Sequence, residues 1–366
     1  MQIQRVLLHN FRNIECADVG LDEGLNIFFG DNAQGKTNFL EAVYYAAASR
    51  SHRASRDREL IMTNEKLARV KVQVKHEFLT TDIAMEIEKD SKRMFVNGLQ
   101  IKRLGELFGN LFCVIFSPED LSLVKSGPGL RRRFMDMELC QLYPAYYHNL
   151  RMYYKVMKQR NNLLRDMAFN QGRGLDTLDV WDEQLVSYGA KLIDTRARFV
   201  EKLSSIACKN QMDITGGKEK LEIIYKNNVD SDGFLEKLIK TRNYDIIKKN
   251  TSVGVHKDDM EFKINGKDAR IYASQGQSRT AALSVKLAQV TLTYEERGCM
   301  PVLLLDDLLS ELDLSRQRYL MERVKGLGLQ CIITLTGAES AFGEYLSEQG
   351  AKIFKVTEGK IDEVTV

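Results

Sequence analysis

Hydrophobic and polar positions keep different rhythms along the 366-residue chain, and each rhythm predicts its own kind of element. Near the start, Ile3, Val6, Leu7 and Leu8, then the apolar run Leu25 to Phe29, predict strands within residues 2–30. The run stops at Gly30, and Phe39, Leu40, Val43 and Tyr44 share one face of a helix predicted from about Lys36 to Ala48. Between residues 69 and 101, Val70, Val72 and Val74 alternate with Lys71, Gln73 and Lys75, and Asn97-Gly98 marks a tight hairpin. Leu111 to Phe116 reads as one more buried strand, closed by Ser117-Pro118.

The middle of the chain turns helical. Apolar residues recur at helical spacing from about Leu130 to Arg165 and from Leu178 to Lys209, with Trp181, Leu185, Tyr188 and Leu192 leading the second stripe. The loop Asn170 to Gly174 separates the two stretches, which predicts an antiparallel helical hairpin. Strand patterns return near 221–225 and 260–264, and a helix is predicted from about Gln275 to Tyr294. Val302 to Leu305, Cys331 to Thr334 and Lys352 to Val356 read as strands, with a helix over about 314–324. The expectation is an α/β unit built from residues 1–116 and 285–366, with 117–284 inserted as a mainly helical lobe.

Composition narrows the classes of function. Lys plus Arg number 53 and Asp plus Glu 50, so the net charge of +3 decides nothing, and any nucleic-acid surface must come from local clustering. No run approaches the length of a membrane span, and the opening residues enter a strand pattern with no signal-peptide core. The six cysteines lie far apart without a CxxC pair, which points to reduced thiols and a cytoplasmic location. No HExxH arrangement occurs among the five histidines, so a zinc hydrolase is not expected.

Three segments carry chemistry. Gly30-Asp31-Asn32-Ala33-Gln34-Gly35-Lys36-Thr37 fits G-x-x-x-x-G-K-[ST] and lies between a strand and a helix, the setting of a phosphate-binding loop. Its glycines let the backbone wrap closely, its amides and the helix dipole face phosphate oxygens, Lys36 reaches the β- and γ-phosphates, and Thr37 ligates Mg²⁺. Pro301 to Leu305 ends in Asp306-Asp307: Asp306 is placed for the Mg²⁺ shell and Asp307 to orient or deprotonate the attacking water. Ser274-Gln275-Gly276-Gln277 opens a helix and offers hydroxyl, backbone and amide donors suited to a γ-phosphate, although Ser274 would also serve as a plain N-cap. A serine-nucleophile elbow is excluded, since Tyr272 occupies the position that needs glycine.

The order of these segments, with Ser310-Glu311-Leu312-Asp313 after the acidic pair, resembles an ABC-type ATPase head of the SMC-like branch. Leu8 to Asn13, Phe116 to Leu121, and Gly127-Pro128 leading into Arg131-Arg132-Arg133-Phe134 resemble the RecF family of bacterial recombination mediators. The resemblance covers essentially the whole chain. It implies an ABC-type P-loop ATPase head with an inserted helical arm, and an ATP site of Gly30 to Thr37 extended by Asn38 and Arg12. It further implies a homodimer that closes on ATP, in which Ser274, Gln275, Gly276, Gln277 and Asp313 complete the site of the other copy. Slow hydrolysis would then loosen the pair. Implied partners are double-stranded DNA near single-strand gap junctions, and RecR with RecO and RecA. Against the transporter pattern, Asp307 stands where Glu is usual, Glu119 stands in for a metal-contacting glutamine, and Thr334 or Thr336 replaces a switch histidine.

Basic charge is concentrated locally. Ser49–Arg58 holds Arg50, Arg53, Arg56 and Arg58 against Asp57 alone, and Gly129–Arg173 holds nine basic residues against three acids. Arg50, Arg53, Arg131, Arg132 and Arg133 are the expected phosphate contacts to duplex DNA, read by shape and backbone, since no recognition helix or zinc finger is present. The competing readings are a DNA clamp that binds ATP without turnover and a P-loop kinase acting on a small acceptor.

Overall fold

A computed structural model of the chain describes residues 1–169, 175–309, 312–336 and 350–364. Ser310, Glu311 and the loop 170–174 lie outside the described residues. The chain forms two compact units, one of Met1–Leu121 with Ala282–Val366, the other of Ser122–Ala281.

Among the described residues the first unit holds two six-stranded sheets. One is antiparallel, built from β1 (Gln2–Phe11), β2 (Ile14–Gly20), β4 (Leu67–Lys75), β5 (Thr80–Glu88), β6 (Lys92–Val96) and β7 (Leu99–Ile101) in the order β2-β1-β4-β5-β6-β7. Its alternation is the one expected: Val70, Val72 and Val74 are buried, and the residues between them face outward. Asn97 and Gly98 both take positive φ, 51° and 77°, as a two-residue turn between β6 and β7 requires.

The second sheet runs β15-β14-β3-β13-β12-β8, from β3 (Leu25–Gly30), β8 (Cys113–Phe116), β12 (Val302–Leu305), β13 (Cys331–Thr336), β14 (Lys352–Thr357) and β15 (Lys360–Val364). All of its pairs are parallel except β14–β15. The continuous apolar runs of β8 and β12 are buried at every position, which is why they lack alternation. Helix α1 (Lys36–Ala48) packs on strands of both sheets and is buried on nearly all sides, so its pattern is broader than a single stripe. Phe28 of β3 stacks between Phe39 of α1 and Phe354 of β14, at 4.4 and 4.7 Å between ring centroids.

The second unit begins with α2 (Leu121–Lys125), α3 (Pro128–Leu142), α4 (Pro144–Phe169) and α5 (Leu175–Thr215). The expected single helix from 130 to 165 is broken at Tyr143, which is extended because Pro144 follows it. A three-stranded antiparallel sheet of β9 (Leu221–Lys226), β10 (Asp259–Ile264) and β11 (Lys267–Asp268) follows, with α6 (Phe234–Lys248) inserted after β9. Next come α7 (Ala269–Tyr272) and α8 (Gln275–Arg297), the latter running on into the first unit, and α9 (Leu314–Gly326) lies between β12 and β13.

The buried seam of α5 differs from the expected stripe. Leu178, Asp182, Leu185, Gly189, Leu192, Arg196, Phe199 and Leu203 point inward, while Trp181 and Tyr188 are only half-buried. The polar members of the seam are paired inside. Asp182 accepts from Arg160 Nε at 2.6 Å and from Arg242 Nε at 2.9 Å. Arg196 donates to Asp258 at 2.8 Å and to Asp136 at 2.7 Å. Gly189 leaves room for a ring, since a Cβ there would stand 2.4 Å from Phe234 Cε1. Replacing Asp182 with Ala leaves Arg160 only Asp245 and Arg242 only Asp179 as carboxylate partners, and the expected cost is about 3–5 kcal/mol, read as a lower urea midpoint.

Candidate functional site

The loop Gly30 to Gly35 leaves β3 at the point where its neighbours diverge, with β13 on one side and β14 on the other, the position at which parallel sheets open a crevice for ligands. Gly30 takes φ 154° and Gly35 φ 118°, and Ala33 also lies in the left-handed region at 65°. A Cβ on Gly30 would meet the Val356 carbonyl oxygen at 2.3 Å, so that position has no room for a side chain. Among the described residues no side chain caps the N-terminus of α1, and its first amides are left for an anion. Asp31, Asn32 and Ala33 are exposed, and Gln34 and Asn38 are half-buried.

Lys36 is 6% exposed and folds back over the loop, its Nζ donating to the carbonyls of Gly30 and Asp31, each at 2.6 Å. Burial lowers its affinity for the proton, against the pull of Asp307, Asp306 and Asp31. The Thr37 hydroxyl donates to Asp306 Oδ1 at 2.7 Å, across 269 residues of sequence. Thr334 of β13 donates to the same oxygen at 2.9 Å and accepts the backbone N–H of Asp307 at 2.8 Å. Thr334 therefore holds the acidic turn in shape, and Asp307 is placed by a left-handed backbone, φ 46°. Thr336 ends β13 exposed.

Several bracing residues carried no motif. Asn13 Nδ2 donates to the Gln34 carbonyl at 3.0 Å, and Asn13 Oδ1 accepts from Asn38 at 2.8 Å. The β14–β15 turn holds the same loop residue: Gly359 N–H reaches the Gln34 carbonyl at 2.8 Å and Glu358 N–H its side-chain oxygen at 2.6 Å. Arg12, expected at ATP, forks onto Glu41 at 2.9 and 3.0 Å and also donates to the Glu59 carbonyl. Glu41 is fully buried. Burial pushes its carboxyl up, but Arg12 and the Ser51 hydroxyl outweigh this and hold it below the usual range. Next to Ser51, His52 meets Tyr44 edge-on, and its two ring nitrogens are buried without a hydrogen-bond partner among the described residues. Glu119 is exposed on the short turn after β8, where Ser117 and Asp120 form a capping box.

In the second unit, Ser274 and Gln277 cap α8 reciprocally: Gln277 N–H donates to Ser274 Oγ at 3.2 Å, and Ser274 N–H to Gln277 Oε1 at 2.9 Å. Gln277 Nε2 donates to Glu219 at 3.0 Å, so one of its two amide donors is already committed. Ser274, Gln275 and Gly276 are exposed. Asp313 is the N-cap of α9, accepting from Arg316 N–H at 3.0 Å, and is likewise exposed.

Arg50 and Arg53 are exposed, as a phosphate contact requires. Arg131 is not: at 4% exposure it forks onto Asp259 at 2.7 and 2.8 Å and donates to the Ser126 carbonyl. Consecutive helical residues point about 100° apart, so three arginines in a row cannot share one face. Arg132 is half-buried on the Asp258 carbonyl at 2.7 Å, and Arg133 is also half-buried.

A family model described as RecF/RecN/SMC N terminal domain matches residues 2–361. The DNA replication and repair protein RecF of Lachnoclostridium phytofermentans is 44% identical over 99% of both chains, and that of Lachnospira eligens is 46% identical over the same shares. The chain belongs to the RecF family. A solved structure of the recombination mediator protein RecF with ATP, in the RecFOR pathway, superposes with a TM-score of 0.91 at 36% identity, covering 100% of this chain and 98% of that one. The ATPγS form gives 0.89 at the same identity, with 99% and 98% covered. An Smc head domain from Pyrococcus furiosus, 15% identical with a TM-score of 0.58 over 100% of this chain and 96% of that one, shares the fold. The expected ABC-type α/β head with its helical insertion is thus the RecF fold. No helix among the described residues is long and apolar enough to cross a membrane.

The Arg131 geometry makes a direct prediction. Arg131→Met is expected to cost about 2–3 kcal/mol of stability. The loss is read as a lower urea midpoint than that of the unmodified chain.

Proposed function

We propose that this protein is a DNA-dependent ATPase that dimerises on ATP, binds duplex DNA near single-strand gaps, and works with RecR and RecO to install RecA. The observation that carries the reading is the meeting of Thr37 and Asp306 beneath an uncapped helix start, with Lys36 lying along the same loop. Support for a role in repair is that its relatives are named DNA replication and repair protein RecF. Support for ATP as the nucleotide is the ATP-bound relative.

The donor set fits Mg²⁺: one hydroxyl and one carboxylate, both hard oxygen donors, leave room for waters and phosphate oxygens. When bound, the ion supplies charge neutralisation at the β- and γ-phosphates. In this scheme Lys36 leaves the loop carbonyls for the phosphates, and the amides of the loop and of the start of α1 hold the remaining oxygens. Asp307 orients the attacking water and accepts its proton.

The start of α8 would act on a second copy. A Cβ on Gly276 would meet nothing within 4 Å among the described residues, so none of them demands glycine there. Glycine in a helix costs about 0.5–1 kcal/mol relative to alanine. Close approach of the other copy's triphosphate accounts for that cost. Arg50 and Arg53 are the DNA contacts best supported by exposure.

Two measurements test this. Asp307→Asn is expected to lower phosphate release about a hundredfold or more while ATP still binds, and equal release would remove Asp307 from the chemistry. In sedimentation with ATPγS, the unmodified chain should form a dimer, while Lys36→Ala and Ser274→Arg stay monomeric. A monomer throughout rejects the shared site, as a P-loop kinase would give.

A further inference from the structure

The long arm helix is joined to the start of α8 by one carboxylate. Gln211, fully buried in the last turns of α5, donates from Nε2 to Glu219 Oε2 at 2.8 Å. Glu219 Oε1 accepts from Gln277 Nε2 at 3.0 Å, and Gln277 Oε1 in turn accepts the N–H of Ser274 at 2.9 Å. The turn that carries Glu219 is fixed on both sides. Its own N–H donates to the Thr215 hydroxyl at 3.2 Å, and Asn265 grips the neighbouring Lys218 carbonyl and Lys220 N–H at 3.2 and 2.8 Å. On the other flank, Lys125 Nζ donates to the carbonyls of Ala269 and Ala273, at 3.2 and 2.5 Å, just before Ser274.

From this chain of bonds we infer that Glu219 is a positioning residue for the Ser274–Gln277 turn, tying its geometry to the C-terminal end of α5. The inference rests on the shared-site reading above. The contacts of Glu219 run to Gln211 and Gln277, so it acts through Gln277. It fixes the rotamer of Gln277, and through it the direction of the Ser274 and Gly276 amides. An ionised carboxylate suits the task, because both of its oxygens accept, one from each glutamine, and neither needs a proton of its own. A rotation of α5 would reach the turn through this group and no longer covalent path is needed, since Gln211 and Glu219 are eight residues apart. Misplacement of a turn by about 1 Å is enough to lose a hundredfold in rate.

The test separates this role from a loss of fold. Glu219→Ala is expected to bind ATP as tightly as the unmodified chain, because its own P-loop is untouched, while kcat for ATP falls about tenfold or more. Glu219→Gln, which keeps one acceptor, should recover most of that loss. Mixing supplies the decisive arm: Glu219→Ala supplies a sound P-loop and Lys36→Ala a sound turn, so the mixed dimer holds one complete site, and turnover should return. Unchanged kcat in Glu219→Ala, or mixtures that stay as inactive as either chain alone, would overturn the assignment. If the unmodified chain also stays monomeric with ATPγS, the shared-site reading falls with it, whereas a dimeric unmodified chain confines the failure to Glu219.

Discussion

One buried carboxylate organises the head. Asp306 is 3% exposed and receives two hydroxyls on a single oxygen, from Thr37 at the start of α1 and from Thr334 on β13. Three elements far apart in sequence meet at that atom. A charge so placed is tolerable only if it is well bonded. The strands bring it there by simple register: Leu305, the residue before it, pairs with Ile333 on one side and with Phe116 on the other. The sheet thus fixes the height of the acid relative to the loop, and the hydroxyls fix its direction.

The second unit solves a different problem with similar means. Its helices enclose arginines rather than exclude them. Arg160 and Arg196 are both fully buried, each met by two carboxylates. Burial of this kind adds little net stability over apolar packing, but it is unforgiving of loss on one side. It also sets register, since α5 can slide against its neighbours only by breaking charged pairs. A lobe that must hold one shape over 41 residues of helix gains from such a constraint.

The head was largely legible because its signals are short-range: apolar runs, alternation, a glycine-rich loop, Asn97-Gly98. The loop Gly30 to Thr37 and the pair Asp306-Asp307 follow β3 and β12, two strands of one sheet. What sequence could not give was the partner of each polar side chain. Asp182 and Arg196 look like solvent positions on a helical wheel, so the apolar pattern points to a stripe through Trp181 and Tyr188 instead. Arg131 looked exposed for the same reason, its partner Asp259 lying 128 residues away. Asn13, Glu41 and Glu219 were invisible as site residues because their roles depend on geometry rather than on motif. The helix α6 was missed where charged residues interrupt its apolar face, and β15 where five mostly exposed residues at an edge give no run to read.

Strand β3 is hydrogen-bonded on both sides by strands made some 300 residues later, β13 from Cys331 and β14 from Lys352. The loop that follows it is then clamped by Gly359. During synthesis, therefore, the P-loop waits without its flanking scaffold until residues 331–359 have followed it. Parallel pairing over such a distance is slow to form and exposes unpaired edges meanwhile. A chain that lacks the β14–β15 hairpin would keep the loop motif but lose the Gly359 and Glu358 hydrogen bonds that hold Gln34.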